Sequence, residues 1–279
     1  GHPDNDLKQN WKYYLDEAEQ EDDVKKQLDQ MREDYKKLSP EDIRVIDPCM
    51  GSGHILVYAF DVLMQIYRTA GYTERDAAKS ILENNLYGLD IDDRAYQLAY
   101  FAVMMKAREY NRRIINGSNK DGVVCHLYSI SESNTVNREQ LKHFGADLSA
   151  LEKTEAIKQI SGLLDTFVDA REYGSILNVS SYDWNLLHRF ISKTNEDAQS
   201  SLFTTGIDYT KEQLQKLICV GQVMSQKYDV VVTNPPYMGS SGMGAKLSEY
   251  VKKNYHDSKS DLFAVFIERC SQMTAPNRY

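Results

Sequence analysis

The chain has 279 residues, 42% of them hydrophobic, which suits one large α/β domain or one domain with an appendage. A formal net charge of -8 excludes a globally basic surface, so any grip on nucleic acid must be local or lie outside these residues. Four scattered cysteines (Cys49, Cys125, Cys219 and Cys270) form no CxxC pair, which argues against a metal site or disulfide framework and fits a cytoplasmic setting. No apolar run approaches the roughly 18 to 20 residues of a membrane span, so no membrane partner is expected.

Residues 1–42 are rich in charge. They carry Trp11, Tyr14, Leu15, Ala18, Val24, Leu28, Met31 and Tyr35 at intervals of three to four, which predicts an N-terminal amphipathic helical hairpin. A turn follows at Ser39-Pro40-Glu41-Asp42. Residues 43–279 then predict a core of alternating strands and helices. Ile43 to Asp47 is a short buried strand, Pro48 to Gly53 a tight loop, and His54 to Ala70 a helix stopped by Gly71. A helix over Glu74 to Glu83, a strand over Leu86 to Ile91, a helix over Asp93 to Glu109 and a strand over Val123 to Ile130 come next. This order predicts a Rossmann-like, mostly parallel sheet with helices on both faces. Further on, Leu151 to Ala170, Asp183 to Lys193, Asp208 to Gln226 and Ser260 to Met273 read as helices. Gly174 to Val179 reads as a short strand or an extended segment and Asp229 to Thr233 as a strand. The span 131–206 exceeds what one crossover needs and is expected to hold a helical insertion. The ends, Gly1-His2-Pro3 and Asn277-Arg278-Tyr279, read as those of a fragment.

The first chemical signal is "VIDPCMGSGHIL". A strand ends in Asp47, and Pro48-Cys49-Met50-Gly51-Ser52-Gly53 then opens a helix. Glycines there allow a sharp turn and close approach of a ligand to the backbone. In "GLDID", Asp90 ends the next strand, where an acid can accept ribose hydroxyls. Asp47 over the same crevice suits a ligand bearing an ammonium group. Gly51-Ser52-Gly53 is followed by His54-Ile55-Leu56, so the third glycine of a dinucleotide-type G-x-G-x-x-G is missing and S-adenosylmethionine fits better than a dinucleotide. His54 itself reads as a solvated or capping imidazole, and Cys49 as a small packing residue. The plainer alternative for these motifs is a structural turn with ordinary acids.

The second signal is "VVTNPPYMGSS". Adenine's exocyclic amine is a poor nucleophile because its lone pair is delocalised into the ring. Two acceptors that draw both N–H bonds out of the ring plane restore that lone pair. The Asn234 side-chain oxygen and the Pro235 carbonyl can be those acceptors. Pro235 and Pro236 fix their own φ and restrict the residues before them. Tyr237 offers a flat face on which a flipped base can stack. Gly239, Ser240, Ser241, Gly242 and Gly244 read as a mobile loop suited to closing over that base.

Together "DPCMGSG", "GLDID" and "TNPPYMG", in that order, resemble the γ-like group of adenine-specific (N6) amino-methyltransferases. The longer stretches around "VIDPCMGSGHILVYAFDVL" and "KSDLFAVFIER" are similar to the large methyltransferases of BREX phage resistance and of restriction-modification systems. The resemblance implies that Asp47, Pro48, Gly51, Ser52 and Gly53 cradle the methionine part of S-adenosylmethionine. Asp90 would hold its ribose and Ile91 would pack on its adenine. It assigns Asn234, Pro235, Pro236 and Tyr237 to the target base, with the helix carrying Asp261, Leu262, Phe263 and Phe266 as buttress. Ser131, Glu132 and Ser133 are candidates for the adenine end of the cofactor. The expected substrate is double-stranded DNA, gripped by a target-recognition domain missing from these residues, with other phage-defence proteins as possible partners. Two alternatives stay open. A glutamine-amide protein methyltransferase needs the same acceptor pair, and a non-catalytic binding module could carry a relic cofactor site.

Overall fold

The computed structural model describes residues 7, 11, 14, 15, 18–115, 122–194, 206–276 and 278. In these residues four strands form one parallel sheet: β1 (Val45–Asp47), β2 (Leu86–Asp90), β3 (His126–Ser129) and β4 (Val230–Val231), in spatial order β3-β2-β1-β4. Val45 pairs with Leu86 and with Val230, and Tyr87 with His126. The strand order reverses beside β1, and in open parallel sheets that reversal opens a crevice at the strand carboxyl ends.

Alternation along the strands sends side chains to two separate cores. Val45, Leu86 and Leu127 face one side, where α2 (His54–Thr69), α3 (Glu74–Ser80) and α4 (Asp93–Tyr110) cover them. Ile46, Tyr87 and Leu89 face the other, packed on α5 (Ala150–Thr166), α7 (Trp184–Ser192) and α8 (Ile207–Ser225). The short helix α6 (Ala170–Tyr173) lies between α5 and α7. Beyond β4 come α9 (Ala245–Asn254) and α10 (Leu262–Met273), which share a third small core of Ile176, Val251, Tyr255, Leu262, Val265 and Phe266. Ahead of β1 lies α1 (Asp22–Tyr35), but the first limb of the expected hairpin is not helical at its predicted apolar positions, since Trp11, Tyr14, Leu15 and Ala18 lie outside any helix; the rest of that limb mostly falls outside the described residues. Residues 195–205 of the expected insertion do so too.

Several sequence expectations need correction. The helix predicted to run to Glu83 gives way after Ser80 to a wider π turn, Ile81–Asn85. There buried Asn85 donates to the carbonyls of Pro40 and Ile43 and accepts from the Tyr67 hydroxyl. The helix predicted through Ala170 ends at Thr166, because Asp169 takes the left-handed conformation at φ 53° and exchanges two hydrogen bonds with Asn134. Gly174 to Val179 is not a strand. Gly174–Ile176 is a 3₁₀ turn, and the carbonyls of Ser175, Ile176 and Leu177 go to side chains rather than to a ladder. The predicted strand Asp229 to Thr233 is paired only at Val230–Val231, with Val232 N–H still donating to Ile46; two prolines then end the ladder by lacking N–H groups. Helix α9 escaped the sequence reading because its apolar stripe is only Leu247, Tyr250 and Val251 among lysines and serine.

Candidate active site

Asp47 closes β1 and is 1% exposed. Its Oδ1 accepts from the Cys49 N–H at 3.0 Å and from the Thr233 hydroxyl at 2.7 Å, while Oδ2 accepts nothing from a described residue. Burial pushes its pKa up to about 6, with the nearby Asp90 charge adding to the rise and the two donors opposing it. An ammonium group at the free oxygen would favour the ionised form.

The loop after Asp47 is tied to β2. Met50 N–H donates to Leu89, Gly53 N–H to Met50, and Gly51 N–H to Asp90 Oδ2 at 2.9 Å. Glycine is required at two of its corners. Gly51 sits at φ 52° with open space where a Cβ would point, and Gly53 sits at φ 82° with Ala99 only 2.9 Å from such a Cβ. The first corner faces open space, and the second packs the loop onto α4. Buried Pro48 and exposed Ser52 complete the turn, and exposed His54 begins α2.

Asp90 is half-buried, and its second oxygen takes the Asp92 N–H at 2.9 Å. Each carboxylate oxygen keeps a further lone pair for a hydroxyl donor. Ile91, beside it, is 51% exposed. The donor set therefore fits a nucleoside carrying a cationic amino acid: a hydroxyl-accepting acid, an apolar platform, an open glycine corner and a buried acid with a free oxygen.

The opposite wall follows β4. Asn234 and Pro236 are exposed and Pro235 is buried. Neither the Asn234 amide nor the Pro235 carbonyl is engaged by a described residue, so both acceptors remain available. Tyr237 is 78% exposed and stacks on Phe263 at 5.4 Å and 15°. The segment that follows is held by α10: Leu262 N–H donates to Met238 and Ser240 N–H to Ser260. Ser240–Gly242 forms a 3₁₀ turn. An open groove on α9, lined by Ala245, Ser248, Glu249, Lys252 and Lys253, shares no residue with these loops.

Among the residues proposed for the adenine end, Ser133 is excluded. It is buried and its hydroxyl donates to the Leu164 carbonyl at 2.5 Å. Glu132 accepts from the Arg171 N–H, and Ser131 is half-buried. The Cys49 thiol, pushed up to about 12 by burial and 3.8 Å from Ser175 Oγ, is a packing group rather than a nucleophile. Among the described residues no cluster of three His, Cys, Asp or Glu side chains is placed to hold a metal ion, and no helix is long and apolar enough to cross a membrane.

Sequence reasoning missed Thr233, whose hydroxyl joins the two walls, and Arg269. The latter is 6% exposed and donates to the carbonyls of Ser175, Leu177 and Met224 and to the Asn178 side chain. A signal for it exists: Arg269 occupies an apolar register position of α10, in line with Leu262, Val265, Phe266 and Met273.

A parallel sheet of this order with these two loops at its carboxyl edge is the Rossmann-like methyltransferase fold. The chain belongs to the Eco57I restriction-modification methylase family, whose pattern matches residues 84–279; that of the MmeI DNA-methyltransferase domain matches residues 16–143. It is 40% identical over 272 residues to the adenine-specific methyltransferase PglX of Lacticaseibacillus casei, covering 96% of this chain and 21% of the relative. It is 37% identical over 297 residues to the adenine-specific methyltransferase BrxX of Escherichia coli, covering 100% of this chain and 24% of the relative. The chain thus spans about a fifth to a quarter of the length of these curated relatives. Membership in the family implies a methyl donor.

Proposed function

We propose that this chain is the catalytic core of an enzyme that methylates the N6 amine of adenine in double-stranded DNA. Its methyl donor is S-adenosylmethionine, and it works in the cytoplasm within a phage-defence or restriction-modification system. The observation that carries the reading is the joint. Thr233, directly ahead of Asn234, donates to Asp47, so the acceptor pair and the glycine corner are held at one strand edge. Named relatives with adenine-specific activity support the substrate.

Asp47 Oδ2 and the Gly51–Gly53 corner hold the amino-acid end of the donor, Asp90 accepts its ribose hydroxyls, and Ile91 supports its adenine. The donor supplies an electrophilic methyl on sulfur. Tyr237, braced from behind by Phe263, stacks on the flipped target base. The Asn234 oxygen and the Pro235 carbonyl each accept one N–H of its amine. Both bonds are pulled out of the ring plane, and the nitrogen lone pair is freed. As positive charge grows on that nitrogen, the two fixed dipoles stabilise it. Pro236 and Pro235 carry no N–H to compete for those carbonyls. A target-recognition domain elsewhere in the longer protein supplies the basic grip that this acidic chain lacks. The helix Asp22–Tyr35 is part of an N-terminal appendage to the core, and the helices between Ala150 and Ser192 belong to an insertion that widens it.

Calorimetric titration of the chain with S-adenosylmethionine and with S-adenosylhomocysteine tests the cofactor. Transfer of labelled methyl to duplex DNA, with a glutamine-containing release factor as the competing acceptor, tests the substrate. Label in DNA is the expected result; label in the protein acceptor, or no binding of either ligand, contradicts the reading.

A further inference from the structure

Five residues beyond α5 cross the carboxyl ends of three strands in turn. Arg171 Nε donates at 3.0 Å to the carbonyl of Ile130, the residue after β3. Gly174 packs on Ile91, the residue after β2, so closely that a Cβ there would lie 3.1 Å from Ile91 Cγ2. Ser175 Oγ lies 3.8 Å from the thiol of Cys49, in the loop after β1. The crossing is anchored at both ends. The Arg171 guanidinium holds both oxygens of Asp93, at 2.8 and 3.0 Å, and its N–H donates to Glu132. At the other end buried Arg269 takes the Ser175 carbonyl.

We propose that this strap, Arg171–Ser175, is a wall of the methyl-donor cleft, and that Gly174 sets the width of the space beside Ile91 in which the donor's adenine lies. The inference rests on the cofactor reading above and adds to it a wall contributed from outside the two motifs. Ligands of open parallel sheets lie outside the strand carboxyl ends, and this strap runs across them. It covers one flank of Ile91 and leaves the side chain 51% exposed, so a flat ring on the free flank has the strap as its edge neighbour. Gly174 holds φ 61° and ψ -148°, a region open essentially to glycine alone. The strap can therefore approach Ile91 with bare backbone where any other residue would place a side chain.

Hydrogen exchange of the unaltered chain, with and without S-adenosylhomocysteine, tests the wall directly. Slowed exchange is expected at residues 48–53, at 90–92 and across 171–176. The adenosine analogue 5′-methylthioadenosine, which lacks the amino acid, is expected to slow 90–92 and 171–176 as well. Gly174→Ala is expected to weaken S-adenosylhomocysteine binding about tenfold or more through overpacking beside Ile91. Slowing at 48–53 and 90–92 with none at 171–176 overturns the strap while leaving the cofactor reading intact. So does a folded Gly174→Ala chain that binds as the unaltered chain does. Absence of binding and of slowing everywhere overturns both. Should Gly174→Ala fail to fold, the exchange experiment on the unaltered chain decides alone.

Discussion

The hydroxyl of Thr233 donates to Oδ1 of Asp47 across 2.7 Å, joining residues 186 positions apart in the chain. One bond thus couples the end of β1 to the loop that carries Asn234 and Pro235. It also partly satisfies a carboxylate that the fold otherwise buries. Thr233→Val keeps the shape and removes the donor. It is expected to raise the Asp47 pKa further and to lower stability at pH 7 by about 1 to 3 kcal/mol, as read from urea unfolding. Thr233→Ser should restore most of that loss.

Asp47 makes stability depend on pH in an unusual direction for a carboxylate. Its folded pKa, about 6, lies above the ordinary 3.8, so the folded chain holds the proton more tightly than the unfolded one. The contribution is complete below 3.8 and is lost as pH rises through 6. Between pH 4.5 and 7 it should amount to about 2 kcal/mol. Urea midpoints of the unaltered chain and of Asp47→Asn, compared at the two pH values, isolate this group. The same titration should weaken S-adenosylmethionine binding below pH 6, because a neutral carboxyl no longer attracts an ammonium; Asp47→Asn should flatten that dependence.

Asn234 and Tyr237 can be changed without disturbing the core, since both are exposed. Asn234→Ala is expected to leave S-adenosylmethionine affinity and the unfolding midpoint near those of the unaltered chain. In the longer enzyme it should cut methyl transfer by about a hundredfold or more. Tyr237→Ala should cost about 1 to 3 kcal/mol in binding of DNA whose target base is unpaired, with Tyr237→Phe close to neutral. Equal loss for Phe and Ala would point to the hydroxyl rather than the ring.

Arg269 is a buried cation whose partners, among the described residues, are carbonyls and one amide rather than a carboxylate. Burial depresses its pKa. Arg269→Ala leaves three buried carbonyls without donors, so a loss of about 3 kcal/mol or more is expected in denaturant unfolding. Arg269→Lys should recover only part of it, because an ammonium cannot reproduce the planar fork.

The elements and the two loops were legible in the chain itself because their causes are local. Turn chemistry at Pro48–Gly53, the short buried run Leu86–Leu89 ending in Asp90 and the paired prolines after Asn234 act within a few residues, and each stands where the sequence placed it. Boundaries drifted where a distant partner intervened. Asn134 turns the chain at Asp169, and the carbonyls of Leu177 and Ser175 satisfy Arg269 instead of a strand.

What folding alone decided is which generic residues meet. Gly174 and Ser175 belong to no motif, and the "TNPPYMG" stretch does not say what its Thr233 meets. Pairing of β4 with β1 brings Thr233 to Asp47, and the strap beyond α5 brings Gly174 to Ile91 and Ser175 to Cys49. Sequence determined the chemistry available at each strand end, because that depends on side-chain type and local backbone. Tertiary structure decided which of those ends share one crevice, because that depends on contacts between residues far apart in the chain.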